Sequence, residues 1–226
     1  MVNPVIVAID GPSGTGKSST SKAVAAKLGL SYLDTGAQYR AITWWMLTNG
    51  VDVNDPVAVA DSAGKPAIVS GSDPAAPAIT VDGLDASGPI RSQEVTAAVS
   101  AVSAVPAVRA RMVELQRAAA DEAPEGIVVE GRDIGTTVFP AATVKIFLTA
   151  SAEARAARRS SELKGAQSVA ATQAALVRRD AADSGRTTSP LAKADDAVEV
   201  DTTELSLEQV VECVVTLVEE KRATIS

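Results

Sequence analysis

Short apolar runs separated by longer mixed stretches set the pattern of this chain. Five of them, Val5 to Asp10, Tyr32 to Asp34, Ile127 to Glu130, Val144 to Leu148 and Ala197 to Asp201, read as buried strands. Runs of this length suit strands buried on both faces, and the helical stretches between them predict an α/β fold with a five-stranded parallel sheet flanked by helices. A helix is predicted from about Lys17 to Leu28. The last helix has the clearest period: Leu207, Val210, Val211, Val214, Leu217 and Val218 share one face, and Ser206 with Gln209 makes a capping box. That face is expected to pack on the sheet.

Between Asp52 and Glu94 the pattern breaks. Pro56, Pro66, Pro74, Pro77 and Pro89 interrupt it, and Ile79-Thr80-Val81 runs into the turn signal Asp82-Gly83. An inserted subdomain at about 52–95 is the expectation. A further helical segment, at about 150–190, reads as a mobile cover. At about 150 residues per domain, the 226 residues then form one domain carrying both additions.

Charge sharpens this picture. The net charge is −7, which disfavours broad binding to nucleic acid or to an anionic membrane. From Arg155 to Lys193, however, eight basic residues (Arg155, Arg158, Arg159, Lys164, Arg178, Arg179, Arg186, Lys193) face three acidic ones (Glu162, Asp180, Asp183), an excess of +5 that leaves −12 for the rest. The cover is built for anions. A single cysteine, Cys213, rules out an intramolecular disulfide, and the absence of histidine removes histidine-based triads and zinc sites. It also leaves no side chain that ordinarily titrates near neutrality. Uncharged stretches such as Val95 to Val108 are too short to span a bilayer, and no signal-type segment opens the chain. A complete cytoplasmic protein, acting as a monomer, is expected.

Gly11-Pro12-Ser13-Gly14-Thr15-Gly16-Lys17-Ser18 matches the phosphate-binding pattern G-x-x-x-x-G-K-[ST] between a predicted strand and a predicted helix. Backbone amides of this loop, continued by Ser19, are expected to cradle a nucleoside triphosphate. Lys17, on a solvent-exposed loop, would reach its β- and γ-phosphates, and Ser18 would ligate Mg²⁺. The loop alone does not separate a kinase from a switch or a motor. None of Asn3, Asn49 and Asn54 precedes a lysine, so the guanine-reading motif of switch GTPases is missing. Glu130, ending an apolar strand, has the position of a water-activating carboxylate in an ATPase. Arg40, Arg109 and Arg132 follow or flank core elements near the carboxyl ends of the strands, where ligands of such sheets bind. Another small-molecule P-loop kinase and a non-catalytic ATP-binding switch both stay open on these residues.

Taken together, Asp10 to Ser18, Asp34-Thr-Gly-Ala-Gln-Tyr-Arg40, Gly88-Pro-Ile-Arg-Ser-Gln-Glu-Val95, Gly131-Arg-Asp-Ile-Gly-Thr-Thr-Val-Phe-Pro140, Lys145-Ile-Phe-Leu148 and Arg179-Asp-Ala-Ala-Asp-Ser-Gly-Arg186 resemble the bacterial cytidylate kinases. The resemblance implies transfer of the ATP γ-phosphoryl group to CMP or dCMP, with Mg²⁺. It also implies an enlarged monophosphate-binding insert and a short lid. Thr35, Arg40 and Arg132 would hold the acceptor phosphate; Ser100, Arg109 and Asp133 would read cytosine; Tyr39, Arg179 and Asp183 would meet the ribose. Arg186 would join the base or phosphate contacts, and Arg155 and Arg159, with Arg158 between them, would steady the transferring group. Thr35 replaces the serine frequent in that family. The segment from Ser160 to Gln167 is shorter, leaving open whether Lys164 is the lid lysine that some relatives use.

Cytosine presents an acceptor at N3 and a donor at its amine, so a donor such as Arg109 beside an acceptor such as Asp133 suits it. Plainer roles remain: Asp133 could pair with Arg132 or cap a helix, and Asp183 could pair with Arg179 or Arg186.

Overall fold

The computed structural model describes residues 4–162 and 168–225; Lys164 lies outside them. Strand β1 (Val5–Asp10) leads through the glycine loop into α1 (Lys17–Leu28), then β2 (Ser31–Asp34) and α2 (Thr35–Thr48). A side layer follows: α3 (Pro56–Ser62), β3 (Ile68–Ser70), β4 (Ile79–Val81) and β5 (Leu84–Asp85), then α4 (Gln93–Ala104) and α5 (Pro106–Asp121). The chain returns to the sheet with β6 (Gly126–Glu130), a π-turn at Ile134–Val138 and β7 (Val144–Thr149). Helices α6 (Ala152–Glu162) and α7 (Val169–Ser184), strand β8 (Val198–Asp201) and α8 (Leu207–Ile225) complete it.

The five apolar runs form one sheet in the order β2-β6-β1-β7-β8, with every pairing parallel. The central strands β1 and β6 are buried on both faces, as their apolar runs require, whereas in the edge strand β8 only Val200 is buried. Register puts Ile9 opposite Glu130 and Asp10 opposite Phe147, so the carboxyl ends of the central strands open on one crevice.

Helix α8 closes one face: Val210, Val211, Val214, Val215 and Val218 pack with Val24 and Ala25 of α1 over β1 and β7. Its cap forms as the sequence predicts, with Ser206 N donating to Gln209 Oε1 at 2.8 Å and Gln209 N to Ser206 Oγ at 3.3 Å. Leu207 departs from the predicted face, being 43% exposed, while Val215 is 3% exposed. The packed stripe begins one turn later, at Val210.

Two local devices shape the side layer. The β4–β5 hairpin turns at Asp82 and Gly83, both at positive φ (52° and 80°), the geometry that an Asp-Gly turn supplies. Between α4 and α5, Val105 is forced out of the helical region by Pro106 (φ −75°, ψ 124°), and Pro106 starts the next helix. That break turns α5 back so that Arg109 donates to the Ser103 carbonyl at 3.2 Å.

Candidate active site

One cleft of about 480 Å³ opens at the carboxyl ends of the central strands. The glycine loop forms its floor. Gly14 and Gly16 take positive φ values of 81° and 87°, which let the loop turn its amides inward, and helix α1 starts at Lys17. Ser13, Gly14, Gly16, Lys17, Ser18 and Ser19 line the cleft, whereas Gly11, Pro12 and Thr15 lie behind it. Gly11 sits so close to β7 that a Cβ there would stand 2.2 Å from the Leu148 carbonyl oxygen.

Lys17 corrects an expectation. Rather than standing on an exposed loop it is 7% exposed, and its ammonium donates to the Pro12 carbonyl at 2.6 Å. Burial, then the nearby Arg132 charge, holds its pKa well below that of an ordinary lysine. A cation so placed lacks solvent and waits for an anion.

Around the opposite wall stand Thr35, Tyr39, Arg40, Ser100, Arg109, Arg132, Asp133, Arg159, Arg179, Asp183 and Arg186. Residues as far apart in the chain as Thr35 and Arg186 are thus brought into one site. Arg109 and Asp133 form an ion pair with side chains only 4% and 6% exposed, and the Arg109 guanidinium lies 5.4 Å from the Tyr39 ring centroid. Asp133 therefore takes neither plainer role: it pairs with Arg109 rather than Arg132 and caps nothing. Asp183 does pair with Arg186, at 2.8 Å, and also accepts from Arg132 Nε at 2.9 Å. Arg132 is the bridge of the site, donating further to Ser13 Oγ at 2.7 Å and to the Gly11 carbonyl at 3.0 Å. Thr35 directs its hydroxyl to the Glu130 carbonyl at 2.7 Å.

The three arginines of α6 separate. Arg159 faces the cleft; Arg155 lies outside its lining, bound to Asp180 and to the Ser13 carbonyl; Arg158 turns away and donates to Thr202 Oγ1 at 2.9 Å. Cations crowd the cleft in excess of their acids. Burial lowers the pKa of Arg179 to about 10, with Arg132 and Arg40 as the next causes, and burial with Arg159 also lowers that of Arg40. Mutual repulsion among buried cations marks a site shaped for anionic phosphates.

Glu130 was not among the sequence-derived site residues, although its strand-terminal position singled it out. Its carboxylate accepts from Ser18 Oγ at 2.9 Å and from the Tyr32 hydroxyl. Arg91 and Asp34, from two motifs already quoted, also line the cleft. The expectation that nothing titrates near neutrality is likewise corrected, since burial raises the Asp10 carboxyl to about 6 and that of Glu130 to about 7. Desolvation, invisible in composition, is the leading cause of both shifts.

A carboxyl whose pKa rises on folding stabilises fully below its unfolded value and loses that contribution as pH climbs through the folded value. Glu130→Gln should therefore gain on the wild type between pH 5 and pH 8, by on the order of 1 to 3 kcal/mol in urea unfolding. A mutant whose difference from the wild type is constant across that range would refute the shift.

The cytidylate kinase family model matches residues 7–220. The chain belongs to the cytidylate kinase family. It is 80% identical over 219 residues to the cytidylate kinase of Streptomyces coelicolor, covering 97% of this chain and 94% of that one. It is 76% identical over 222 residues to that of Streptomyces avermitilis, with 98% and 96% covered. A Thermus thermophilus protein of known crystal structure, 18% identical, superposes with a TM-score of 0.51 over 96% of this chain and 98% of that one, a likeness of fold. No helix among the described residues is long and apolar enough to cross a membrane.

Proposed function

We propose that this chain transfers the γ-phosphoryl group of ATP to CMP or dCMP, giving CDP or dCDP, and that the two walls of the cleft divide the substrates between them. The observation that carries this reading is the buried Arg109–Asp133 pair, a donor and an acceptor side by side, a few residues from a crowd of arginines facing the phosphate-binding loop. Cytosine needs that donor and acceptor, and two polyanionic substrates need those cations.

In this reading the loop amides and Lys17 take the ATP phosphates. Arg40, Arg132 and Arg179 take the acceptor phosphate, joined by Thr35 once its hydroxyl exchanges the Glu130 carbonyl for phosphate. Arg159 lies over the transferring group, and Arg155 fixes the loop through Ser13. Ser100, Arg109 and Asp133 read the base, Tyr39 and Asp183 the ribose, and Arg186 braces Asp183. The side layer at about 52–95 acts as the monophosphate-binding insert and the α6–α7 region as the lid. Because the attacking oxygen belongs to the acceptor phosphate, the protein's task is positioning and charge neutralisation.

The Ser18 hydroxyl and the Glu130 carboxylate, adjacent hard oxygen donors, fit Mg²⁺. No cluster of three or more His, Cys, Asp or Glu side chains that could hold a metal ion occurs among the described residues. When bound, the ion neutralises phosphate charge. One chain holds every residue named, so the proposed reaction needs no second copy, and a cytoplasmic protein drawing on free nucleotides fits this reading.

An ADP-release assay with ATP, Mg²⁺ and a panel of CMP, dCMP, UMP, AMP, GMP and shikimate tests the reading: release is expected with CMP and dCMP foremost. Release without any acceptor would identify an ATPase, and none at all a binding protein. Asp183→Ala should lower kcat/KM for CMP about tenfold more than for dCMP, because only the ribonucleotide loses a hydroxyl-to-carboxylate bond. Equal losses would assign Asp183 to bracing the arginines alone.

A further inference from the structure

Asp10 ends β1 immediately before the glycine loop, yet nothing in phosphate binding uses its side chain. It is 5% exposed. Its Oδ1 accepts from the backbone N–H of Ile134 at 2.9 Å and its Oδ2 from that of Gly135 at 2.8 Å. One residue earlier in β1, the Ile9 carbonyl accepts from Gly131 N at 3.0 Å. The segment 131–135 is therefore pinned at both ends to two consecutive residues of β1. Arg132 and Asp133, which span the acceptor side of the cleft, hang between the pins.

The pinned segment has little slack. A Cβ on Gly131 would stand 2.6 Å from Ile134 Cδ1 and 2.8 Å from Thr35 Oγ1, and one on Gly135 would stand 3.1 Å from Lys145 Cδ. Asp133 itself adopts φ −143°, ψ 24°, outside the regular strand and helix regions, so the local backbone does not set its direction unaided. A carboxylate buried this deeply is costly, and burial is the leading cause of its raised pKa. An apolar residue would fill the space at less cost but would leave the two amides without an acceptor.

We infer that Asp10 is a positioning residue for acceptor selection: by holding the Ile134 and Gly135 amides, it fixes Arg132 and Asp133 where they meet the nucleoside monophosphate. The inference rests on the proposal that Asp133 reads the base. It makes the last residue of β1 serve both substrates, since the ATP loop begins one residue later.

Asp10→Asn tests it. An asparagine offers one acceptor oxygen and turns an amide donor toward the second N–H, so one of the two bonds is lost. Expected are a fall of about tenfold in kcat/KM for CMP, carried by KM, and a narrowing of the CMP-to-UMP preference by about tenfold, with the KM for ATP within about twofold of wild type. In an Asp133→Asn background the same substitution should leave the preference where Asp133→Asn put it, because Asp10 acts through Asp133. A preference that responds to Asp133→Asn but not to Asp10→Asn overturns the inference and leaves base reading by Asp133 standing. A preference blind to both overturns the base reading and the inference with it.

A second measurement needs no variant. In ligand-free wild type, the Ile134 and Gly135 amides should resist hydrogen exchange as strongly as the β1–β6 ladder, and CMP should change them little. Protection that develops only on adding CMP would show that the substrate, not Asp10, organises the turn.

Discussion

Lys17→Ala is expected to lose about 10²- to 10³-fold in turnover while the protein melts at or above the wild-type temperature. The two halves of that result come from one fact, the burial of a cation. In the free protein the Lys17 ammonium has exchanged water for one carbonyl, that of Pro12, and its pKa is held down by burial and by Arg132. Alanine removes this unfavourable charge, and the Pro12 carbonyl keeps a bond from the Thr15 hydroxyl at 3.1 Å. Stability is therefore preserved or raised. The β- and γ-phosphates lose the buried point charge proposed to hold them, one of the preorganised donors that phosphoryl transfer depends on. Melting curves and steady-state turnover on the same preparation decide the matter. Turnover within tenfold of wild type would remove Lys17 from the chemistry, and a lower melting temperature would show that its burial is favourable after all.

The sheet and the loop are legible from the sequence because their signals are local. Val5 to Asp10 followed by eight residues of fixed spacing reads as strand, turn and helix start without any tertiary knowledge. The Ser206–Gln209 box spans only four residues and forms as read. What local pattern cannot show is which partner a charged side chain chooses. Asp133 stands beside Arg132 in the chain but pairs with Arg109, 24 positions away, because the π-turn and the break at Pro106 bring those two together. Glu130 meets Ser18 across 112 positions and Tyr32 across 98, so its place beside the proposed metal ligand is a property of the strand order β2-β6-β1. The raised carboxyls of Asp10 and Glu130 are equally non-local, since they follow from what is stacked over them rather than from residue type.

The separation of Arg155, Arg158 and Arg159 shows the same limit on a helix. Sequence places all three in α6 and distinguishes none. The structure sends Arg158 to Thr202 of the segment after β8, ties Arg155 to Asp180 of α7, and leaves Arg159 facing the cleft. Only the neighbours decide. Arg40 and Arg179, whose pKa values are lowered first by burial and next by neighbouring arginines, carry a charge that an incoming phosphate would stabilise, even though Arg40 donates to the Ile90 carbonyl at 3.2 Å and Arg179 lies 4.0 Å from Asp183.

Asp133→Ala should lower stability by about 3 to 5 kcal/mol, a larger effect than any other single substitution considered for the folded state. The pair is almost fully enclosed, with side chains 4% and 6% exposed, so removing the acid leaves the Arg109 guanidinium buried with the Ser103 carbonyl and the Tyr39 face for compensation. Arg109→Ala should be costly for the converse reason, stranding a carboxylate. The double substitution removes both charges together and is expected to cost clearly less than the sum of the single ones. Urea unfolding of the four proteins closes the cycle. Because CMP is proposed to bind this same donor and acceptor, the single variants should also lose CMP binding while retaining ATP binding, measured by calorimetry at a temperature where each is folded. Additive stability losses would mean that the two side chains do not depend on one another. Undiminished CMP affinity in Asp133→Ala would leave the pair as a buried structural link between α5 and the turn after β6.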